Sequence, residues 1–328
     1  RTASMKFLIA SLLAASAAAK SFSSSDLYAF EQYKVDYNRN YDESENAERL
    51  EIFVKNLAII EERNEAERQA GGSAVHGINQ FTDMHPEEFR NKFLSSDVSM
   101  KTSEDRVYAE DLPEFDATTE VDWTGVYTTP VKNQRQCGSC WAFSATEQIE
   151  SDLMRLTGST VILAPQQIVS CDKTSQGCNG GWTESAYAYV KNNGGLETED
   201  DYPYTSWIGN SGTCKSDSSK AAATISGYTT VSGEDNMASY VQSTGPLSVC
   251  LDASTWNSYT GGVMKVCGNS VDHCVQAVGV LPDSSTGYWK VRNSWGTTWG
   301  ESGFIRLEFG GNTCDITNDP TYTDASLV

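Results

Sequence analysis

Residues Gln134 to Trp141 read QRQCGSCW, and the assignment of the two cysteines in this stretch decides what the rest of the chain must be. Two cysteines three positions apart fit a redox couple, half of a zinc site, or a nucleophile beside a disulfide. The residues that follow, AFSATEQIESDLMRLTG, have helix-forming composition. Phe143, Ile149, Leu153 and Leu156 can share one face, and Gly158 is a stop signal. Cys140 therefore stands at a predicted helix N-terminus, where exposed backbone N–H groups and the positive end of the dipole bias a thiol toward thiolate. A covalent catalyst needs that form of sulfur.

Working outward, the 328 residues allow about two domain-sized units with a real core. The charge is strongly unbalanced, 24 basic against 44 acidic residues, which argues against nucleic acid or an anionic membrane as partner. Nine cysteines are too many for an ordinary cytosolic domain, and an odd number leaves at least one thiol unpaired within the chain. Residues 5 to 19, MKFLIASLLAASAAA, have the lysine, short apolar run and small residues of a secretory leader, with Met5 expected as the start. No second apolar stretch is long enough to cross a bilayer.

After the leader the chain reads as helical. Phe30, Tyr33, Tyr37 and Tyr41 recur at intervals of three and four, and a charged segment from Asp42 to Ala70 carries Leu50, Phe53, Leu57 and Ile60 on one side. Gly71-Gly72-Ser73 stops it, and a short extended piece then leads to a helix opening near Pro86. Residues 95 to 111 are polar and acidic without an apolar period, and read as a linker. All nine cysteines and all eight tryptophans lie beyond Leu112. Past about residue 220, helical signals give way to short strand-like runs such as GPLSVCLDA, CVQAVGVL, GYWKVRNSW and GFIRLEF. A helix-rich half followed by a strand-rich half predicts two packed lobes.

A thiol nucleophile needs a base, normally histidine, held in its working tautomer by a third polar group. The chain has three histidines, and His76 and His85 precede the linker, so His273 is the candidate base by elimination. Asn293 follows in KVRNSWGTTWG, with Trp295 placed to shield a polar contact from water. Gln134, six residues before Cys140, is placed to donate to a developing oxyanion together with the Cys140 N–H.

These residues carry a resemblance: the chain is similar to papain-type cysteine peptidases of the cathepsin L group, as a precursor. CGSCW at 137 to 141 is a signature of that family. Glu45, Arg49, Phe53, Asn56, Ile60 and Asn64 reproduce the spacing of its prodomain helix motif, and Gly77, Asn79, Phe81 and Asp83 that of a second prodomain motif. The resemblance implies an α+β, papain-like two-lobe fold, with a helical lobe, a β-barrel-like lobe and a mainly helical N-terminal prodomain. It implies domains at 1–19 (leader), 20–111 (inhibitory prodomain) and 112–328 (peptidase), with the mature N-terminus between about residues 109 and 117. Asp116 to Glu120 look like an insertion, and one residue seems missing between Trp123 and Pro130. The implied chemistry is a Cys140/His273 thiolate–imidazolium pair, Asn293 orienting the ring and Gln134 in the oxyanion hole, with no cofactor and no metal. The CxxC alternatives recede because there is no second CxxC.

The resemblance also pairs Cys137 with Cys178, Cys171 with Cys214, and Cys267 with Cys314. Cys250 and Cys274 fall in consecutive strand-like runs, on positions that line the S2 pocket in the family. A fourth disulfide is expected there, with two small buried thiols as the alternative. Gly180 and Gly181 are implied to offer backbone to an extended substrate, Trp182 and Thr183 to wall S2, and Asp319 to lie at its base, where a carboxylate could pair with arginine. Asp272 and Trp295 complete the implied substrate site.

The partners that follow are protein or peptide substrates in extended conformation and the chain's own prodomain as an intramolecular inhibitor, on a monomer without nucleic acid or membrane span. Absence of a second histidine beyond the linker favours an endopeptidase over a dipeptide-trimming enzyme. Acid release of the prodomain is expected, with His76, His85 or Asp83 as the switch. A secretory route to a lysosome-like compartment or to the outside fits, and no Asn-x-Ser/Thr sequon is present. The competing readings are a peptide ligase or transpeptidase using the same thioester chemistry, and a non-catalytic storage or binding protein of the same fold.

Overall fold

The structure is a computed structural model that describes residues 22–95, 106–283 and 285–328. The expected leader and most of the expected linker lie outside the described residues. The chain divides into two units, Arg1–Asn40 and Tyr41–Val328. Helix α1 (Ser24–Asp36) belongs to the first. A capping box starts it: the Ser23 hydroxyl accepts from the Asp26 N–H, and the Asp26 carboxylate takes the Ser23 N–H. Phe30 stacks on Tyr33, and Tyr33 tilts against Tyr37, where the helix ends. The aromatic period through Tyr41 is therefore cut short.

The second unit opens with α2 (Glu43–Ala70), capped by Asp42 and closed by Gly71 at φ 71°, a left-handed position that favours glycine. Leu50 and Phe53 are buried on this helix, but Leu57 and Ile60 are only half-buried, and the polar Asn56 and Glu67 are buried instead. The cause is what the helix packs against. The Asn56 amide donates to the carbonyls of Thr82 and Met84 at 2.8 Å each, and Asn64 exchanges two hydrogen bonds with the backbone of His76. Arg49 reaches the Asp83 carbonyl and, at 2.5 Å, Glu88. Residues 75 to 88 thus lie along α2 as backbone, which polar side chains satisfy better than apolar ones.

The remaining elements are β1 (Val75–His76), α3 (Pro86–Phe93), β2 (Val121–Asp122), α4 (Cys140–Thr157), α5 (Pro165–Cys171), α6 (Thr183–Asn192) and β3 (Ala223–Thr230). They continue with α7 (Glu234–Ser243), β4 (Leu247–Leu251), β5 (Tyr259–Gly261), β6 (Val263–Met264), β7 (His273–Leu281), β8 (Tyr288–Arg292), β9 (Phe304–Glu308) and β10 (Thr321–Leu327). β1 pairs antiparallel with β5. The main sheet runs β3-β10-β4-β7-β8-β9-β6, with β2 on β7 and a parallel pairing between β6 and β9. Among the described residues β3 and β6 end this order without meeting, so the expected barrel-like lobe is an open sheet. The strand-rich half also holds α7, and its last strand, β10, carries no strong alternating signal in TYTDASL.

Helix α4 departs most from a simple sequence reading. Every residue from Cys140 to Leu153 is buried, whereas Leu156, placed on its apolar face by spacing, is 50 % exposed. The helix packs against α6 on one side and β7 and β10 on the other, so it has no solvent face to define an amphipathic stripe. Its buried acids are paired: Glu150 with Lys132 at 2.9 Å, Asp152 with Arg155 at 3.2 Å, and Glu147 with Arg292 at 3.5 Å. Glu150 and Glu147 thereby reach cations outside the helix, and removing one partner of such a buried pair costs roughly 3–5 kcal/mol, so these two contacts hold α4 against its surroundings. Four disulfides add to this: Cys137–Cys178, Cys171–Cys214, Cys250–Cys274 and Cys267–Cys314. Cys140 alone is free.

Candidate active site

Cys140 is the first residue of α4 and is fully buried. His273 is the first residue of β7, and Asn293 follows the end of β8, the strand paired beside it. The His273 ring hydrogen-bonds through Nε2 to Asn293 Oδ1 at 2.7 Å. Its Nδ1 is buried with no hydrogen-bond partner in the structure. The Trp295 ring lies 4.8 Å from the imidazole at a shallow tilt and closes it from solvent, with Trp256 edge-on at 6.0 Å. Both neighbours of His273 act on the Cys140 thiol: the Cys274 N–H reaches the sulfur, and the Asp272 carboxylate stands close enough to oppose its ionisation. The sulfur therefore lies beside the start of β7, the strand that His273 opens.

The electrostatics reverse one expectation. Burial pushes the Cys140 thiol up to about 12, and the N–H groups of Cys274, Trp141 and Cys140 itself only partly offset it. Burial likewise lowers His273 to about 4, opposed by its bond to Asn293. The helix start acts in the direction anticipated, but burial opposes it more strongly, and in this form it favours the neutral thiol and the neutral imidazole.

Gln134 is held from both ends. Its Oε1 accepts from the Ser294 hydroxyl at 2.6 Å, and its own backbone N–H donates to the Ser294 carbonyl at 2.9 Å. Its Nε2 donates at 2.9 Å to two carbonyls, those of Cys137 and Phe93. Phe93 ends α3, and the next residues stay in the groove. The Ser95 N–H donates to the Asp272 carbonyl at 2.7 Å, and the Gly181 N–H donates to the Ser95 hydroxyl at 3.2 Å. A Cβ on Gly138 would stand 2.5 Å from the Leu94 carbonyl oxygen, so the glycine between the two cysteines lets the segment lie close. Upstream, Phe81, Phe89 and Phe93 pack edge-on against Trp295 at 5.3 to 6.4 Å.

The other residues singled out from sequence are distributed as follows. Gly180, at φ 127°, accepts the Gln176 N–H in its own loop, so its backbone serves the loop as well as the groove. Trp182 is buried; Thr183 opens α6 and donates to Asp319 Oδ2 at 3.2 Å while touching Cys250 Sγ at 3.9 Å. Cys250 and Cys274 face each other across β4 and β7. The Gly77 N–H donates to the Ser258 carbonyl, and Asn79 donates to the Asn257 carbonyl, both in the sheet-bearing part. Tyr41 donates to the buried Asp83 carboxylate. His76 is buried beside Ser258, with Nδ1 at 2.9 Å from its hydroxyl, whereas His85 is exposed and caps α3 through the Glu87 N–H. Ser294, Tyr204, which donates to the Gln134 carbonyl, and Ser95 escaped sequence reasoning. Ser294 adjoins Asn293 and could have been noticed; a serine after a phenylalanine-rich helix carries no signal.

The model of the papain family cysteine protease matches residues 117–324, and that of the cathepsin propeptide inhibitor domain (I29) matches residues 30–89. The chain belongs to the papain family of cysteine proteases. Among its relatives, cysteine proteinase 1 of Dictyostelium discoideum is 36% identical over 327 residues, covering 91% of this chain and 92% of that one. Digestive cysteine proteinase 1 of Homarus americanus is 39% identical over 307 residues, covering 90% and 94%. The digestive procathepsin L2 proteinase from Tenebrio molitor larval midgut superposes with a TM-score of 0.81 at 34% identity, covering 91% of this chain and 99% of that structure. The protease is thus a cathepsin L-like zymogen with an inhibitory propeptide, and the segment in its groove follows four residues after the stretch that the propeptide model matches. Its four disulfides fit the secretory pathway. Among the described residues no helix is long and apolar enough to cross a membrane, and no group of three or more His, Cys, Asp or Glu could hold a metal.

Proposed function

We propose that the protease is an endopeptidase in which Cys140 attacks the peptide carbonyl, His273 carries the proton, Asn293 orients the imidazole and Gln134 stabilises the oxyanion. The observation that carries this is the Phe93 carbonyl on the Gln134 amide, which sits where a substrate carbonyl would be polarised. Once the propeptide leaves, water re-enters the groove, the desolvation that keeps the pair neutral falls, and proton transfer from sulfur to the free Nδ1 of His273 becomes favourable. The thiolate then adds to the carbonyl carbon, and negative charge moves to the oxygen facing Gln134 Nε2 and the Cys140 N–H. Collapse breaks the C–N bond, the imidazolium returns its proton to the leaving amine, and water hydrolyses the thioester with His273 as base.

The propeptide blocks this because it presents the Phe93 carbonyl to Gln134, the Ser95 N–H to Asp272 and the Ser95 hydroxyl to Gly181, over a buried nucleophile. Release at low pH is assigned to protonation of His76, which is buried against Ser258 and beside Arg63. The reading places the peptidase at 112–328, with a mature N-terminus between about residues 109 and 117, as a monomer in an acidic compartment on the secretory route. The test is hydrolysis of a fluorogenic peptide by acid-treated protein, with and without an epoxide thiol inhibitor. Hydrolysis that the inhibitor and Cys140→Ser both abolish supports the assignment; correctly processed protein that hydrolyses nothing overturns it.

A further inference from the structure

Beside the stretch that leads into Gln134 lies a cavity of about 240 Å³, and no residue before Pro130 lines it, so the segment in the groove takes no part in it. Phe143, Tyr204, Ile162 and Pro165 give it apolar walls, and Lys132 and Glu199 stand among them. The Phe143 and Tyr204 rings meet edge to face at 5.0 Å. Glu199 is fixed from two sides: its backbone N–H donates to the Ile162 carbonyl at 3.0 Å, and its Oε1 accepts the Tyr204 N–H at 3.0 Å. Its second oxygen, Oε2, is buried and finds no hydrogen-bond partner among the described residues. Lys132 does not supply one, because its ammonium is engaged with Glu150 at 2.9 Å.

We propose that this cavity is a binding site, separate from the catalytic groove, for a small arylalkyl ammonium ligand, and that its occupancy alters turnover through the loop of Gln134. The site goes beyond the endopeptidase reading; only its effect on turnover rests on that reading.

Charge, shape and connectivity each support the assignment. Lys132 is the cation that acts on Glu199, whereas Glu150 and Asp200 add negative charge, so the surroundings favour an incoming cation. Burial raises the Glu199 carboxyl against the pull of the Tyr204 N–H and the Lys132 charge, and a charged donor on Oε2 relieves that cost. The ring and aliphatic walls suit an apolar body. A volume of about 240 Å³ is below the roughly 300–1,000 Å³ of sites for drug-sized molecules, so the ligand is small. The walls lead to the catalytic loop at several points. The Tyr204 hydroxyl donates to the Gln134 carbonyl at 2.8 Å and lies 3.0 Å from the hydroxyl of Ser139, the residue before Cys140. The Lys132 carbonyl accepts the Gly296 N–H at 3.0 Å, next to Trp295. A ligand that shifts or stiffens these walls therefore acts on both ends of the loop.

Phenethylamine tests the site on the precursor, whose groove is already filled, so that binding there is not binding at the catalytic centre. Isothermal titration should show one site with a Kd of about a millimolar for a molecule of this size. Glu199→Gln keeps an acceptor for the Tyr204 N–H and removes the charge; it should weaken phenethylamine at least about tenfold and leave the weaker binding of uncharged 2-phenylethanol unchanged. Ile162→Trp, at a wall residue that is 43% exposed, should fill the cavity and abolish binding of both while the melting temperature stays near that of the natural sequence. No binding, or equal affinity in the natural precursor and both variants, overturns the site; where Glu199→Gln does not fold, Ile162→Trp decides. In activated enzyme, saturating phenethylamine should change kcat by about fivefold with KM unmoved, and Ile162→Trp should remove the effect. An unchanged kcat, or an effect on KM alone that survives in Ile162→Trp, overturns the coupling. If processed natural enzyme hydrolyses nothing, the endopeptidase reading fails and the coupling with it, while titration of the precursor still decides the site.

Discussion

The amide nitrogen of Gln134 lies 2.9 Å from the carbonyl oxygen of Phe93, so the segment just after the matched propeptide stretch occupies the group proposed to stabilise the transition state. Gln134→Ala should therefore act twice. In activated enzyme kcat should fall by about 10²–10³ with little change in KM, because the donor serves the oxyanion and not the ground state. The isolated propeptide should also bind the variant more weakly, by roughly 1 kcal/mol for one hydrogen bond. Steady-state kinetics and inhibition titration check both; a raised KM with unchanged kcat would place Gln134 in ground-state binding only.

Cys140 is fully buried and its thiol is pushed up to about 12 by that burial. In the zymogen at pH 7, iodoacetamide should label it slowly, and removal of the propeptide should speed labelling by on the order of a hundredfold or more as thiolate and access appear together. Mass spectrometry of timed samples reads this. Equal rates before and after processing would mean that the propeptide does not control the sulfur.

His76 sits at the contact between the propeptide and the sheet-bearing part, against Ser258 and beside Arg63, which donates to Asn257 and Ser258. Burial first, and then the Arg63 charge, lower its pKa from 6.5 to about 4. Docking favours the neutral ring, so its stabilisation is complete above pH 6.5 and is lost as pH falls from 6.5 toward 4, by at most about 3 kcal/mol. His76→Asn, which keeps a polar group beside Ser258 without the titration, should flatten activation in that window, whereas His85→Asn at the exposed cap should not. Identical pH profiles for His76→Asn and the natural sequence would remove the histidine from the switch.

Cys250 and Cys274 close a stretch of 24 residues between two central strands, one residue from His273. Loss of the bond in Cys250→Ser/Cys274→Ser should cost roughly 3 kcal/mol, from the entropy of a loop of that length. Non-reduced peptide mapping should recover the cross-linked pair, and thermal unfolding should show the loss. A double variant as stable as the parent would indicate that the strand ladder alone holds these residues.

Much of this molecule is legible from local pattern. The helix starting at Cys140 follows from composition and Gly158, α2 from its caps and charged period, and β4, β7, β8 and β9 from short apolar runs bounded by turn residues. His273 could be named because it is the one histidine beyond the linker, Cys140 because it stands at a helix start in CGSCW, and Gln134 and Asn293 through the family resemblance. Where pattern misled, solvent was absent. Helix α4 has no wet face as far as Leu153, so its acids lie inside with their cations, while its last turn reaches solvent and leaves Leu156 outside; α2 packs against backbone, so Asn56 and Glu67 are buried where Leu57 and Ile60 are not.

The order of elements, the odd number of cysteines and the residue types available to the site can all be read along the chain, because none of them depends on which distant residues meet. Only the tertiary structure decided what state those groups are in. Burial supplied by the fold pushes the Cys140 thiol up, and Asp319 has a partner because Arg106 arrives from more than two hundred residues away. Desolvation and charge pairing are set by distance in space, which no local pattern records.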